Sequence, residues 1–331
     1  MSERIAIVGD GQMGLVLADA LVHRGLRVSL WGPFSDIVEH LAATRENPGR
    51  MPGFRLDEQV RVTTNGSELF DNCTMAINAI PSQFIGDVWS RVGGDLPSGC
   101  PIVSVAKGVE NGTLRRPSEV LQEAVPSAGA MCALSGPTIA AELAAHRPAL
   151  MVAASSDKVL ATRVQSCFDV PWLRIYTSDD LVGVELAGAC KNVVALAAGM
   201  CDGLQLGDNA KSAVLARGLA EITRLGVSMG AAAETFYGIA GVGDLATTCF
   251  SPHGRNRSCG EALGLGESLD AYESRTHSVV EGVATSRSVI ALASRYGIEM
   301  PISEAVHAVL FDGLSPGAGV DQLMRRVSGA E

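Results

Sequence analysis

A lysine inside an apolar run is the residue in this chain that most needs a chemical reason. Lys191 lies within Gly183-Val184-Glu185-Leu186-Ala187-Gly188-Ala189-Cys190-Lys191-Asn192-Val193-Val194-Ala195-Leu196-Ala197-Ala198-Gly199, a stretch of mostly small and apolar residues. The pattern predicts a helix long enough to cross a domain core. At helical spacing its neighbours are Ala187, Gly188, Val194 and Ala195, and no carboxylate stands three or four residues away. Far from both helix ends, the ammonium needs a partner from elsewhere in the chain, or a cavity to line. Desolvation there favours the neutral amine, which makes a group able to exchange a proton near neutral pH. The plainer alternative is a core-edge lysine that reaches solvent.

Two further groups suit the same chemistry. Asp244, in the glycine-flanked loop Gly241-Val242-Gly243-Asp244, is a candidate to orient Lys191 or balance its charge. Arg255-Asn256-Arg257 follows the turn-rich Ser251-Pro252-His253-Gly254 and reads as an anion-binding cluster, because guanidinium forks match phosphate oxygens. A solvated basic turn is the alternative for that cluster.

The elements that must position these groups begin with the β-branched run Arg4-Ile5-Ala6-Ile7-Val8. Gly9-Asp10-Gly11-Gln12-Met13-Gly14 follows, then an apolar helical pattern through Leu21, then Arg27-Val28-Ser29-Leu30-Trp31. Strand, G-x-G-x-x-G, helix, strand is the order of a dinucleotide-binding unit. Its glycines permit a tight turn, and the helix start offers N–H groups to a pyrophosphate. The end of the second strand reads Trp31-Gly32-Pro33-Phe34, without the acid that commonly holds a ribose 2′-hydroxyl, so both NAD(H) and NADP(H) are admitted. Further strands are expected near 60–63, 75–80, 101–106, 131–134, 150–153 and 172–176. The strand at 101–106 delivers Lys107 at its carboxyl end and the strand at 131–134 runs into Ser135-Gly136-Pro137-Thr138, where open parallel sheets gather ligands.

After Thr177-Ser178-Asp179-Asp180, a helix-capping stretch, the periodicity is helical with no convincing strand. The expected architecture is α/β: a Rossmann-type dinucleotide-binding domain over 1–178 and an all-α substrate and catalytic domain over 179–331. The 331 residues suffice for two such domains. With 47% hydrophobic and 5% aromatic residues and 37 glycines, the composition is that of a helix-rich enzyme rather than of a disordered chain or a nucleic-acid platform. A net charge of −10 disfavours nucleic acid as a partner. Eight cysteines without a C-x-x-C pair point to reduced thiols, and no residue is assigned to a metal. No uninterrupted apolar run approaches the roughly 20 residues of a membrane span and no signal peptide precedes the first strand, so a cytoplasmic protein without membrane insertion is expected.

The chain resembles the bacterial NAD(P)-dependent glycerol-3-phosphate dehydrogenase family from end to end. The resemblance is carried, in order, by Ser104-Val105-Ala106-Lys107-Gly108-Val109-Glu110, Leu134-Ser135-Gly136-Pro137-Thr138, Gly183-Val184-Glu185-Leu186 with Lys191-Asn192-Val193, and Gly207-Asp208-Asn209-Ala210. It continues through Arg217-Gly218-Leu219-Ala220-Glu221, Ala240-Gly241-Val242-Gly243-Asp244-Leu245, Arg255-Asn256-Arg257 and Val280-Glu281-Gly282. It implies interconversion of dihydroxyacetone phosphate and sn-glycerol 3-phosphate with NAD(P)(H), feeding glycerophospholipid synthesis. It also implies roles: Lys191 as catalytic proton donor and acceptor; Lys107, Gly136, Thr138, Lys191, Asp244, Arg255 and Asn256 as substrate-binding. Gly9, Gly11, Gln12, Met13, Gly14, Lys107, Ala140, Arg255, Val279 and Glu281 fall at cofactor-binding positions. The partner is then a small phosphorylated three-carbon substrate, and the helical domain is apolar enough to support a homodimer.

The sequence departs from the family pattern at Asp10, Gln12 and Met13 in the glycine loop, at Pro33, and at Gly254, where a serine is usual. Asp10 puts a negative charge near a pyrophosphate unless its side chain turns away. Two alternatives stand beside the family reading. One is another two-domain hydroxyacid or ketoacid dehydrogenase, which would not need the Arg255-Asn256-Arg257 cluster. The other is a non-catalytic NAD(P)-binding sensor, which would not need Lys107, Lys191 and Asp244 together.

Overall fold

The computed structural model describes residues 3–276 and 279–327. The chain divides into two units. One comprises 1–106 with 115–184, the other 107–114 with 185–331.

The first unit is built on β1 (Arg4–Val8), β2 (Arg27–Trp31), β3 (Arg61–Thr63), β4 (Met75–Asn78), β5 (Ile102–Ser104), β6 (Met131–Ser135), β7 (Ala149–Ala154) and β8 (Leu173–Ser178). They form one eight-stranded sheet in the order β3-β2-β1-β4-β5-β6-β7-β8. All neighbours run parallel except β6 and β7, which pair antiparallel from Ala133↔Ala154 to Ser135↔Val152. The strands are apolar on both faces, as a sheet covered on both sides requires. Ile5 and Ile7 enter one core with Leu15, Leu17, Leu21 and Leu30, while Ala6 and Val8 enter the other with Ile85, Trp89 and Leu121. Strand order reverses between β1 and β4, and that switch point is where such sheets bind ligands.

Helix α1 (Gln12–His23) starts directly beyond β1. A Cβ placed on Gly14 would lie 1.9 Å from the carbonyl oxygen of Gly9. Only glycine lets the first turn of this helix sit so close to the end of the strand.

From Glu185 onward the described residues are helix and loop. The helix Leu181–Gly203 is opened by Asp180, whose Oδ1 accepts from Gly183 N at 2.8 Å. Among the described residues this is the one helix long and apolar enough by length and composition to cross a membrane, although Glu185, Lys191 and Asp202 interrupt its apolar run. Nearly all of its apolar window is buried inside the protein, so it is a core helix. The helix Arg255–Gly264 packs against it without side chains between. A Cβ on Gly199 would meet Arg257 O at 2.0 Å, and one on Gly260 would meet Leu196 O at 2.0 Å.

Candidate active site

In the helical unit Lys191 is buried, 6% exposed, as its apolar surroundings dictate. Its Nζ donates to Thr248 Oγ1 at 2.7 Å and to Asp244 Oδ1. Asp244, 1% exposed, is thus the partner that local sequence around the lysine could not provide. Its other oxygen, Oδ2, accepts from Lys107 Nζ at 2.7 Å. One carboxylate therefore serves two ammonium groups. Burial is the chief influence on Lys191, and it lowers the pKa from its ordinary value to about 8. The attraction of Asp244 opposes that fall, and the nearby charge of Lys107 adds to it.

Asp244 owes its position to a single turn of π-helix, Ile239–Gly243, which leads straight into the helix Asp244–Phe250. Thr248 is one turn further on the same helix, so its hydroxyl shares the face of Asp244 and donates to Asp244 O at 2.7 Å. Sequence reading did not single out Thr248; its i+4 spacing from Asp244 was the available signal. Lys107 belongs to a short excursion, 107–114, that joins the helical unit. Asn192 Nδ2 donates to Lys107 O at 3.0 Å, and Ser288 Oγ donates to Val109 O at 2.8 Å.

Asn192, adjacent to Lys191, also links the lysine to the anion-binding cluster. Its Oδ1 accepts from Asn256 Nδ2 at 2.9 Å, and Asn256 Oδ1 accepts from Gly282 N at 2.9 Å. Asn256 is buried, at the start of the helix Arg255–Gly264. Backbone N–H groups in a first helical turn lack intrahelical acceptors, so this start is an anion-binding geometry in its own right. Arg255 stands in the first turn with Nη1 donating to Val279 O at 3.0 Å. Arg257 serves a different end. Its Nη2 pairs with Asp202 Oδ2 at 2.6 Å and its Nη1 with Glu261 at 3.1 Å, while Lys211 also binds Asp202. It is a structural cation, held inside the helical unit by two carboxylates. Glu281 opens the helix Glu281–Tyr296, next to Gly282 and Val279.

In the first unit the other expected residues gather at the carboxyl ends of the strands. Gly9 and Gly11 form the turn after β1, and Gln12, Met13 and Gly14 open α1. Gln12 Nε2 donates to Arg50 O at 2.8 Å. Gly136 and Thr138 follow β6, with Thr138 Oγ1 donating to Gly136 O at 3.0 Å, and Ala140 begins the helix Ala140–Ala144. The glycine turn with the start of α1 fits a dinucleotide, since any Cβ at Gly14 would close the approach just described.

Asp10 sits against the residue that follows β2. Its Cγ and Oδ2 lie where a Cβ on Gly32 would come within 2.7 Å, against the end of β2. The side chain is buried, Oδ2 has no hydrogen-bond partner, and burial raises its pKa above the usual carboxylate value. The carboxyl group missing from the sequence of β2 is thereby brought to its end from the neighbouring loop.

An open sheet with a glycine turn at its switch point, joined to a helical unit with a buried lysine–carboxylate cluster, defines an NAD(P)-dependent dehydrogenase. Two family models cover the chain, the NAD-dependent glycerol-3-phosphate dehydrogenase N-terminus over residues 4–161 and its C-terminus over residues 180–321. Similar curated proteins include a glycerol-3-phosphate dehydrogenase [NAD(P)+] of Citrifermentans bemidjiense, 42% identical over 100% of this chain and 99% of that one. Another, from Chlorobium limicola, is 43% identical over 97% of each chain. The crystal structure of glycerol-3-phosphate dehydrogenase from Coxiella burnetii superposes with a TM-score of 0.94 at 33% identity, covering 98% of this chain and 99% of that one. The chain belongs to the NAD-dependent glycerol-3-phosphate dehydrogenase family.

Proposed function

We propose that this protein interconverts dihydroxyacetone phosphate and sn-glycerol 3-phosphate, with NAD(P)(H) as the redox partner. The observation that carries the reading is the buried Lys191–Asp244 pair joined by the partly buried Lys107, in the unit that also presents Arg255 and Asn256 at a helix start. When bound, the dinucleotide supplies or accepts the hydride. Gly9, Gly11, Gln12, Met13 and Gly14 would hold it at the start of α1, with Ala140, Lys107, Arg255, Val279 and Glu281 as further contacts.

The protein's own part is proton transfer and grip. Lys191 in its ammonium form gives a proton from Nζ to the carbonyl oxygen during reduction and recovers one during oxidation. Asp244 holds Nζ in place together with Thr248. Arg255 and Asn256, with the first-turn N–H groups, hold the phosphate dianion, and Lys107, Gly136 and Thr138 complete the substrate contacts. A non-phosphorylated hydroxyacid would leave this helix start without a task, and a sensor would leave Lys191 without one. The direct test follows NADH and NADPH oxidation with dihydroxyacetone phosphate. Turnover with at least one of the two is expected, and folded protein that binds a dinucleotide yet turns over with neither defeats the proposal.

Replacing Arg255 by Ala is expected to raise KM for dihydroxyacetone phosphate by about tenfold to a hundredfold, the scale of losing a charge-assisted contact. Steady-state kinetics should show a far smaller change in kcat.

Asp10 bears on the choice of dinucleotide. An acid at the end of the second strand accepts from ribose hydroxyls and repels a 2′-phosphate, and the Asp10 carboxyl is held there against Gly32. Asp10→Asn should therefore tighten NADPH relative to NADH by roughly threefold to tenfold, the scale of one partly screened charge interaction. Fluorescence titration without substrate reads this as a ratio of Kd values; an unchanged ratio removes Asp10 from the selection.

A further inference from the structure

Away from the residues described so far, one cluster in the first unit unites groups that ligate metal ions. Asp19 and His23 stand one turn apart in the second half of α1, and His146 follows the helix Ala140–Ala144. Asp19 is buried while both imidazoles reach solvent. Asp19 Oδ2 lies 3.0 Å from His146 Nε2, and Asp19 Oδ1 lies 3.4 Å from His23 Nδ1. One donor atom from each of the three residues falls within 4.8 Å of the others. Two N or O donors on a tetrahedral ion, each about 2.0–2.2 Å from it, stand roughly 3.3 Å apart. The observed separations are those of donors able to share one ion after a small adjustment.

The surroundings hold the donors in place. The His146 ring stacks on Trp172 with centroids 3.7 Å apart and planes 12° from parallel. His23 meets His146 edge-on at 4.9 Å and Trp172 at 5.0 Å. His146 itself has φ of 52°, the left-handed region that costs a non-glycine residue energy and is often kept where a side chain has a task. The arginines adjacent in sequence are directed elsewhere: Arg24 Nε donates to Ser166 O at 3.2 Å, and Arg147 Nη1 lies 3.8 Å from Glu142 Oε1.

We propose that Asp19, His23 and His146 bind one divalent transition ion of the zinc type, with water as fourth ligand. Two imidazoles and one carboxylate match that class; calcium and magnesium prefer oxygen donors alone. His23 Nδ1 is now 3.1 Å from Asp19 O, and His146 Nε2 faces the carboxylate. On binding, the ion takes the lone pair of one nitrogen on each neutral ring; an N–H at the ligating nitrogen moves to the other ring nitrogen through solvent, and only an imidazolium releases a net proton, with no change of oxidation state. The ion would fasten α1 to the chain segment after Ala144, opposite in α1 to the end that carries the glycine turn.

Calorimetric titration of the full-length protein with zinc chloride, in two buffers of different ionisation enthalpy, tests this. One ion per chain is expected, with net proton release only from a ring that enters as imidazolium, and a change in Trp172 fluorescence. His23→Ala and Asp19→Asn should each weaken binding by tenfold or more, and His146→Ala should do the same. Zinc should also raise the melting temperature of the parent protein and not of these variants. Trp172→Phe should keep the stoichiometry and lose the fluorescence change, which separates binding from any folding defect. Absence of saturable one-to-one binding overturns the site, as does equal affinity in folded His23→Ala and Asp19→Asn; an equal response to magnesium overturns the assignment to the zinc class.

Discussion

Lys191→Ala is expected to lower kcat for dihydroxyacetone phosphate reduction by about 10²–10⁴-fold, the range a positioned general acid contributes. Dinucleotide affinity should stay close to that of the parent protein, because the glycine turn and α1 belong to the other unit. The role also fixes a sign for pH. With its pKa lowered to about 8 by burial, Lys191 is an ammonium below that pH and an amine above it. Reduction needs the ammonium, so kcat for reduction should fall as pH rises through about 8, whereas oxidation needs the amine and should rise through the same interval. Lys191→Arg keeps the charge but cannot release a proton in this range, and should be nearly as slow as the alanine variant. Near-parental turnover in Lys191→Ala, or a profile flat across pH 7–9, would remove Lys191 from the chemistry.

The second large effect is expected at Asp244. Asp244→Asn keeps the shape of the side chain while leaving Lys107 and Lys191 without the carboxylate they share. Breaking a buried ion pair from one side costs about 3–5 kcal/mol, unless the stranded charge is shed. Here Lys191 can shed it by releasing its proton. Its pKa should then drop below about 8, since the influence that opposed burial is gone while the charge of Lys107 remains. Reduction at neutral pH should slow by about tenfold to a thousandfold, and its pH profile should move toward acid; the loss should be partly recovered at lower pH. A purely structural role for Asp244 would lower the melting temperature and leave the profile where it was, so the pair of measurements separates the two.

What could be read from the chain beforehand follows the range of the interactions. The strand, glycine turn and helix of residues 4–23 are set by neighbours in sequence, and so is the apolar helix that isolates Lys191. These were legible. Lys107 was legible as a residue at a strand end, but its partner Asp244 is 137 residues away, and nothing local shows that 107–114 joins the helical unit. Arg257 looked equivalent to Arg255 until Asp202 and Glu261 claimed its guanidinium. The direction taken by Asp10 depends on Gly32, and the antiparallel pairing of β7 depends on which edge it meets. His23 and His146 gave no signal at all, because their neighbourhood is assembled from α1, the segment after Ala144 and Trp172.

The glycine contacts between Leu181–Gly203 and Arg255–Gly264 bear on substrate length. Gly199 and Gly260 bring main chain against main chain, and the Asn192–Asn256 hydrogen bond sits beside Lys191 on the same pair of helices. The spacing from the lysine to the anion-binding helix start is therefore a property of the backbone, which no rotamer change can lengthen. On the proposed reading, the two helices act as a fixed gauge between phosphate and carbonyl. A ketone phosphate one carbon longer would have to bend or lose one of its two anchors, so chain-length selectivity would persist through many substitutions of the lining side chains. It should yield only when a bulkier residue at Gly199 or Gly260 forces the helices apart.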